Sequence, residues 1–352
     1  MSTMLAAVYH GPRDVRVEPR PVPELLPGEL LIRVESASIC ATDIRIVNGS
    51  HRKVVTGSMR IPGHEIVGSV AGVGEGAASY SPGQRVFVAP NLGCGSCRWC
   101  LCGKNNLCGQ SEAFGITLDG AFAEYMRVTK PAVEQGNVIP IPDQADAEVV
   151  SLAEPLACVL HGIEAVQVSA QDVVVILGAG PIGLMHLLLS RQRKARTVIV
   201  SDPVRSRLET ALRLGSDVVV ESGKQSLEDE VSAATGGEGA DVVIVAAGVH
   251  GAQEQAFRIA ATCGRINLFA GLPKDQPEIR LDSNLVHYKE LVVTGTTACS
   301  TEDCRKAVDL VCGGAVDLRP LVGARFQLTE MLKALEFTRG GHGLKAIVLP
   351  YH

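Results

Sequence analysis

The sequence predicts an α/β protein built from a β-rich domain and a doubly wound parallel sheet. Three observations lead there. Roughly the first 140 residues hold short strand-like runs punctuated by Gly, Pro, Asn and Ser clusters. Beyond about residue 170, apolar strands alternate with helical periods. The whole chain of 352 residues is also longer than one ordinary hydrophobic core organises.

In the first part, LLIRVESASI (30–39), EIVGSVAGVG (65–74), QRVFVAP (84–90) and FAEYMRV (122–128) are rich in Val, Ile and aromatics, with breaks such as LPGE (26–29) and SPGQ (81–84). Short strands at this spacing suggest a Greek-key or barrel-like domain. The second part offers DVVVILG (172–178), TVIVSD (197–202), SDVVVES (216–222), ADVVIVAAG (240–248), GRINLFAG (264–271) and ELVVTGT (290–296) as strands. The segments between them, PIGLMHLLLSRQRKA, PVRSRLETALRLG, SLEDEVSAATGG and HGAQEQAFRIAATCG, carry apolar residues at helical spacing. Continuous Val/Ile runs mean strands covered on both faces, and the alternation means a parallel sheet. TEDCRKAVDLVCGG and TEMLKALEFTRGG then read as amphipathic helices and KAIVLP (345–350) as a last strand. The domains are expected at 1–148 with 292–352, and at 149–291.

Thirty-three Lys and Arg against 38 Asp and Glu give a net charge of −5. Such a chain lacks the basic stripe that nucleic acid or an anionic membrane would select, so neither is an expected partner. No apolar stretch reaches the roughly 18 residues that a membrane span needs. The beginning, MSTMLAAVYHGPRDVRV, lacks a basic n-region and does not read as a secretory signal. Eleven cysteines in a long chain of this kind read as reduced thiols for metal or catalysis, and the expected compartment is the cytoplasm.

Gly178-Ala179-Gly180-Pro181-Ile182-Gly183 is a GxGxxG run that follows a strand and opens a helix. The first Gly makes the turn, the second lets backbone approach a pyrophosphate, and the third lets helix and strand pack closely. Asp202 ends the next strand, 19 residues after Gly183. A carboxylate there accepts hydrogen bonds from adenosine ribose hydroxyls and repels a 2′-phosphate, which favours NAD over NADP. Arg205 and Arg207 nearby are the residues that could instead meet a phosphate. Without a dinucleotide, the same residues read as a structural glycine turn with Asp202 capping a helix.

Cys94, Cys97, Cys100 and Cys108 form C-x2-C-x2-C-x7-C on a glycine-rich loop, in a lobe spanning about 91–109. Four thiolates close a tetrahedral zinc site with no position left for substrate, which makes the site structural. Cys102 is a spare. An iron–sulfur cluster or metal-free thiols are the alternatives, and the spacing does not match ferredoxin runs. Cys40 (SICATDIR), His64 and Glu65 (IPGHEIVG) and Glu154 (LAEPLAC) form a sparser set. Their residue types suit a catalytic zinc, which takes about three protein ligands. Taken singly, each has an ordinary structural reading.

The combined motifs resemble the zinc-containing medium-chain alcohol dehydrogenases, specifically their polyol (sorbitol/iditol) branch. Gly63-His64-Glu65 followed by Gly68, Gly74 and Ala77 matches the family signature, as do Cys40 with Thr42 and Asp43, the AEPLAC segment, the GAGPIG turn and Asp202. The resemblance runs over the whole chain. It implies a GroES-like catalytic domain made of both ends of the chain, an inserted Rossmann domain, and an active site in the cleft between them. It also implies two zinc ions and NAD, and a homotetramer or dimer. Cys40, His64 and Glu65 become catalytic-zinc ligands, with Glu154 on the metal directly or through water, where the simple-alcohol branch has Cys. Pro181, Ile182 and Arg207 join the glycines and Asp202 around the cofactor.

The implied reaction passes hydride from a secondary hydroxyl of a polyol, sugar, sugar phosphate or cyclitol to NAD, with Thr42 relaying the proton. Two departures stand out. Arg45 replaces the relay His five residues after the Cys and cannot be a base, which leaves water or His51 to carry the proton; Arg45 itself reads as a contact to the cofactor or to an anionic substrate group, or as a surface charge. Thr296-Thr297-Ala298 stands about where sorbitol dehydrogenases have an Arg-Tyr pair, which puts sorbitol itself in doubt. His287, in NLVHYKE, has a structural reading or one at the cleft. The rival readings are an L-threonine- or 2,3-butanediol-type dehydrogenase on the same scaffold, and a zinc-binding redox sensor without turnover.

Overall fold

The computed structural model describes residues 2–54, 57–341 and 344–351. The chain divides into two compact units, Met1–Ala157 with Ala298–His352, and Cys158–Thr297. The division falls inside the helix Ala153–Ala165, nine residues beyond the sequence estimate on the first side and six on the second. No composition change marks either point, because the helix runs through the first without a break.

The discontinuous unit is built on a seven-stranded sheet. Its path runs Val322–Gln327, Lys345–Leu349, Leu30–Ser38, Glu65–Val73, Arg85–Val88 and Val138–Pro140, and Tyr125–Val128 pairs Leu30–Ser38 off that path. In Leu30–Ser38 the buried Leu30, Ile32 and Val34 alternate with outward residues such as the exposed Arg33, as a half-covered strand requires. Phe114, Phe122, Ile66 and Met126 fill the core beneath. The late strand Lys345–Leu349 runs antiparallel to Leu30–Ser38, with Ile347 opposite Ser38. This pairing makes both ends of the chain one domain.

The continuous unit is a six-stranded, all-parallel sheet in the order Val218–Glu221, Thr197–Asp202, Val173–Leu177, Ala240–Val245, Ala260–Leu268, Val292–Gly295. Numbered from its first strand this is 3-2-1-4-5-6, the doubly wound dinucleotide-fold order. All five residues of Val173–Leu177 are buried, which accounts for the unbroken VVVIL run. One expected helix is shorter than its periodicity. HGAQEQAFRIAATCG is helical only over His250–Ile259, and strand begins at Ala260. The register then shifts along the pairing with Ala240–Val245, and Cys263 takes φ 58°. Among the described residues, no helix is long and apolar enough to cross a membrane.

His186, on the helix Pro181–Gln192, lies wholly inside this unit, and neither ring nitrogen has a hydrogen-bond partner. It packs edge-to-face on Phe269 at 4.8 Å. Burial pushes its pKa down to about 3. The folded state therefore holds it neutral, whereas in the unfolded chain it takes up a proton near its ordinary 6.5. Its contribution to stability is complete above pH 6.5 and declines as pH falls from there toward 3, a loss of about 2 kcal/mol by pH 5. His186→Leu should flatten the fall in melting temperature between pH 7.5 and 5. An unchanged pH slope would show that other groups govern it.

Candidate active site

The glycine turn forms as its spacing demands. Strand Val173–Leu177 ends at Gly178, φ 110°, and the helix Pro181–Gln192 starts with Gly180 as N-cap and Pro181 at N1. A Cβ on Gly183 would lie 1.7 Å from the Gly178 carbonyl oxygen, so no side chain fits there. Ile182 sits in the first turn of the same helix. Asp202 is buried beside the turn. Its Oδ2 accepts the Ala179 N–H at 2.8 Å, its Oδ1 accepts the Val204 N–H at 2.8 Å, and Arg207 Nη1 is 3.3 Å from Oδ2. Asp202 thus holds the turn closed as well as presenting a carboxylate. Arg205 is turned to Glu209, 3.5 Å away, so Arg207 is the guanidinium beside the carboxylate.

In the discontinuous unit, one ligand atom each from Cys94, Cys97, Cys100 and Cys108 lie within 4.8 Å of one another. Backbone N–H groups point at the sulfurs. Cys97 N–H reaches Cys94 Sγ at 3.3 Å, and those of Cys94 and Gln110 reach Cys108 Sγ at 3.4 Å. The N–H groups of Ser96 and Cys97 draw the Cys94 thiol down to about 6, whereas burial pushes Cys100 up to about 12. Cys102 Sγ instead donates to the Trp99 carbonyl at 3.3 Å and is exposed, so it remains the spare. Four converging sulfurs with amide donors fit a closed four-thiolate site.

The second cluster joins residues far apart in sequence. Cys40 is the N-cap of the helix Ala41–Val47, and His64 and Glu65 stand at the head of the strand Glu65–Val73. Their ligand atoms also lie within 4.8 Å of one another. Gly63, just before His64, has φ 96°, and a Cβ there would meet Phe122 Cδ1 at 2.7 Å; glycine lets the chain turn His64 inward.

Asp43 binds both halves of the cluster together. Fully buried, it accepts the Cys40 N–H at 2.8 Å and the Gly63 N–H at 3.3 Å, and its Oδ1 lies 3.4 Å from His64 Nδ1. That last contact is an ion-pair distance, not an aligned hydrogen bond, since Nδ1 has no hydrogen-bond partner. Burial works to lower the His64 pKa, but the Asp43 charge overrides it and holds the ring well above its ordinary value.

Glu65 is 0% exposed, and its Oε1 accepts from Lys345 Nζ at 2.6 Å. Its Oε2 is buried without a partner. Burial pushes this carboxyl up to about 7 against the pull of Lys345, and the neighbouring Glu154 adds to the rise. Glu154, in the first turn of Ala153–Ala165, is buried too, with Cys299 Sγ 3.8 Å from its Oε1. Three buried carboxyls and the thiols of Cys40 and Cys299 thus face one ammonium and one imidazole. An orphaned buried carboxylate oxygen costs about 1–3 kcal/mol, more when charged. A divalent cation among Cys40, His64 and Glu65 would satisfy it, so the residues fit a metal.

Thr42 lies half-buried two residues from Cys40 on the same helix, and Arg45 is exposed at that helix's last turn. His51 is half-buried. His287 is exposed in the other unit, its ring edge-on to Tyr288 at 4.7 Å. Sequence reasoning assigned no role to Asp43 or Lys345. A lysine heading the apolar strand KAIVL was the available signal for the second.

A closed thiolate lobe, a Cys–His–carboxylate cluster and a dinucleotide turn on a doubly wound sheet define a zinc-dependent dehydrogenase scaffold. The model of the alcohol dehydrogenase GroES-like domain matches residues 26–143, and that of the zinc-binding dehydrogenases matches 181–312. An L-threonine 3-dehydrogenase of Bacillus subtilis is 34% identical over 94% of this chain and 93% of its own. A zinc-binding dehydrogenase from Sinorhizobium meliloti bound to NADP superposes with TM-score 0.92 at 31% identity, covering 99% of this chain and 100% of that one. A 2R,3R-butanediol dehydrogenase from Bacillus subtilis follows with TM-score 0.90 at 25% identity, covering 99% and 100%. The chain belongs to the zinc-containing medium-chain alcohol dehydrogenase family.

Elemental analysis tests the lobe. Cys100→Ser should remove one equivalent of zinc per chain and lower the melting temperature, while Cys102→Ser should retain the metal. Loss of zinc from both variants alike would remove the distinction drawn here.

Proposed function

We propose that the protein is a zinc- and NAD-dependent dehydrogenase that oxidises a secondary hydroxyl beside a second polar group, as in a polyol, sugar, sugar phosphate or cyclitol. The observation that carries this reading is the unpartnered Glu65 Oε2, buried within a cluster with Cys40 and His64. Those three residues would hold a catalytic zinc, and Cys94, Cys97, Cys100 and Cys108 a structural one. When bound, the catalytic ion supplies Lewis acidity, lowering the pKa of a hydroxyl brought to it. Carboxylate in place of a second thiolate makes that ion harder and more electrophilic.

The chain's own residues supply the rest. Asp43 orients Cys40 and His64, and Lys345 holds Glu65 by one oxygen so that the other is presented. Glu154, whose Oε1 accepts from Cys299 Sγ, is the neighbouring carboxylate that would reach the ion directly or through water. Thr42 would relay the substrate proton, accepting it on its hydroxyl oxygen while passing its own proton to water or His51, since Arg45 cannot act as a base. Gly178, Gly180 and Gly183 let the dinucleotide pyrophosphate approach the helix N-terminus, and Asp202 retains lone pairs for ribose hydroxyls.

A second reading, an L-threonine- or 2,3-butanediol-type dehydrogenase, is favoured by the names of the similar proteins just described. Both readings share a secondary hydroxyl with a vicinal polar neighbour, and a substrate panel separates them. NADH formation with polyols, cyclitols, sugar phosphates, L-threonine and butane-2,3-diol should pick out one class and disappear on chelation. Glu65→Gln should lower turnover about 100-fold or more, with loss of the catalytic zinc. Wild-type rates in that variant would remove Glu65 from the mechanism. Asp202→Ala should narrow the preference for NAD over NADP by roughly tenfold. Because Arg207 already stands against Asp202, an unchanged ratio would assign cofactor choice to the arginine instead.

A further inference from the structure

Residues 44–64 contain no Asp or Glu, yet they carry Arg45, His51, Arg52, Lys53 and Arg60 as well as His64. In a chain of net charge −5 this is a local excess of cations. Elsewhere arginines commonly find carboxylates. Arg85 meets Glu35 at 2.7 Å, Arg325 meets Glu148 at 2.7 Å, and Arg60 itself meets Asp119 at 3.5 Å. Arg45 and Arg52 are exposed and have no carboxylate partner among the described residues. Among the described residues, Lys53 Nζ donates only to neutral oxygens, the Ser111 carbonyl at 3.1 Å and its Oγ at 2.8 Å.

The segment also folds back on itself. The Ser50 N–H donates to the Arg45 carbonyl at 2.9 Å, and the Lys53 N–H donates to His51 Nδ1 at 3.3 Å. His51, half-buried, is depressed in pKa by burial and then by the charges of His64, Arg45, Arg52 and Lys53. Those four groups therefore lie within electrostatic reach of one ring, and one of them is a residue of the Cys40–His64–Glu65 cluster. Arg45 is three residues from Thr42 on the helix that starts at Cys40, so the two share a helix face.

The geometry points to an anion subsite flanking the hydroxyl-binding cluster, with Arg45 and Arg52 its principal cations. The substrate is then a hydroxyl compound that bears a carboxylate or phosphate, not a neutral polyol. This rests on the dehydrogenase reading and narrows its substrate class. Arginine suits the task because its planar fork matches an oxyanion in two-point contact. A solvated patch of surface charge would show no preference between neutral and anionic substrates, and a patch serving the dinucleotide phosphates would act on cofactor binding.

The test compares matched substrates: ribitol against ribitol 5-phosphate, and butane-2,3-diol against 3-hydroxybutanoate. The anionic member should have a kcat/KM at least tenfold higher at low ionic strength, with the gap narrowing as salt rises. Arg45→Gln and Arg52→Gln should each lower kcat/KM for the anionic member about tenfold more than for the neutral one, and Arg45→Lys should recover part of the loss. Equal handling of both members by the wild type would overturn the proposal. So would a rise in the dinucleotide KM matching the anionic-substrate loss. If no compound turns over, the dehydrogenase reading fails, and calorimetry with inorganic phosphate decides the subsite separately. Phosphate binding that is lost in the Arg45→Gln/Arg52→Gln double variant, with melting temperature preserved, sustains it; no binding by the wild type overturns it.

Discussion

Removing the Glu65 carboxylate from water requires a cation, and the buried ammonium that answers it comes from Lys345, far along the chain. The pair is shielded on all sides, so neither charge can recover its lost hydration by turning outward. A buried pair of this kind adds little net stability against a hydrophobic equivalent, but breaking one half of it is costly. Its value is therefore positional. With one oxygen committed to Lys345, Glu65 keeps a single direction, and Asp43 ties the backbone at Cys40 to that at Gly63, next to His64. The polarity of the cluster follows from this frame, because every acid within it needs a compensating positive charge and the protein supplies fewer than it buries.

Much of this was legible before any coordinates. The VVVIL strand, the glycine turn and Asp202 form one local grammar whose parts lie close in sequence, and all of them fall where their mechanism puts them. The four-cysteine lobe is equally local. The second cluster is different in kind. Cys40, His64 and Glu65 are brought together by the pairing of Leu30–Ser38 with Glu65–Val73 and by the bridge through Asp43, and no periodicity encodes the meeting of two strand ends. Family pattern raised those residues above their ordinary readings. It did not reach Asp43 or Lys345, because a buried acid inside a short helix and a lysine heading a strand both look like solvated charges in one dimension. The helix Ala153–Ala165 hid a boundary for a related reason, since a continuous element can belong to two cores.

Asp202 shows how a residue read as a recognition group also does structural work. Both of its oxygens accept backbone N–H groups, one from Ala179 in the glycine turn and one from Val204 just beyond its own strand, and a guanidinium stands beside it. A carboxylate so engaged is held in place before any ribose arrives, which reduces the entropy lost on binding. Its charge is also partly neutralised by Arg207, so the repulsion of a 2′-phosphate is weaker than for a bare Asp. Cofactor preference in this scaffold is then a balance between two adjacent side chains, not the property of either one.

The discontinuity of the metal-bearing unit has a consequence for how the chain folds. Residues 154 and 299 meet within that unit, although Cys158–Thr297, about 140 residues, lies between them. Closing a disordered loop of that length costs about 4 kcal/mol in chain entropy. If the parallel-sheet unit collapses first, its ends are already near one another and most of that cost disappears. Contact order thus sets a sequence of events, in which the contiguous segment acts as an internal scaffold for its host. On that order the strand Lys345–Leu349 would dock late, and the lysine that steadies Glu65 would be among the final groups to reach its place.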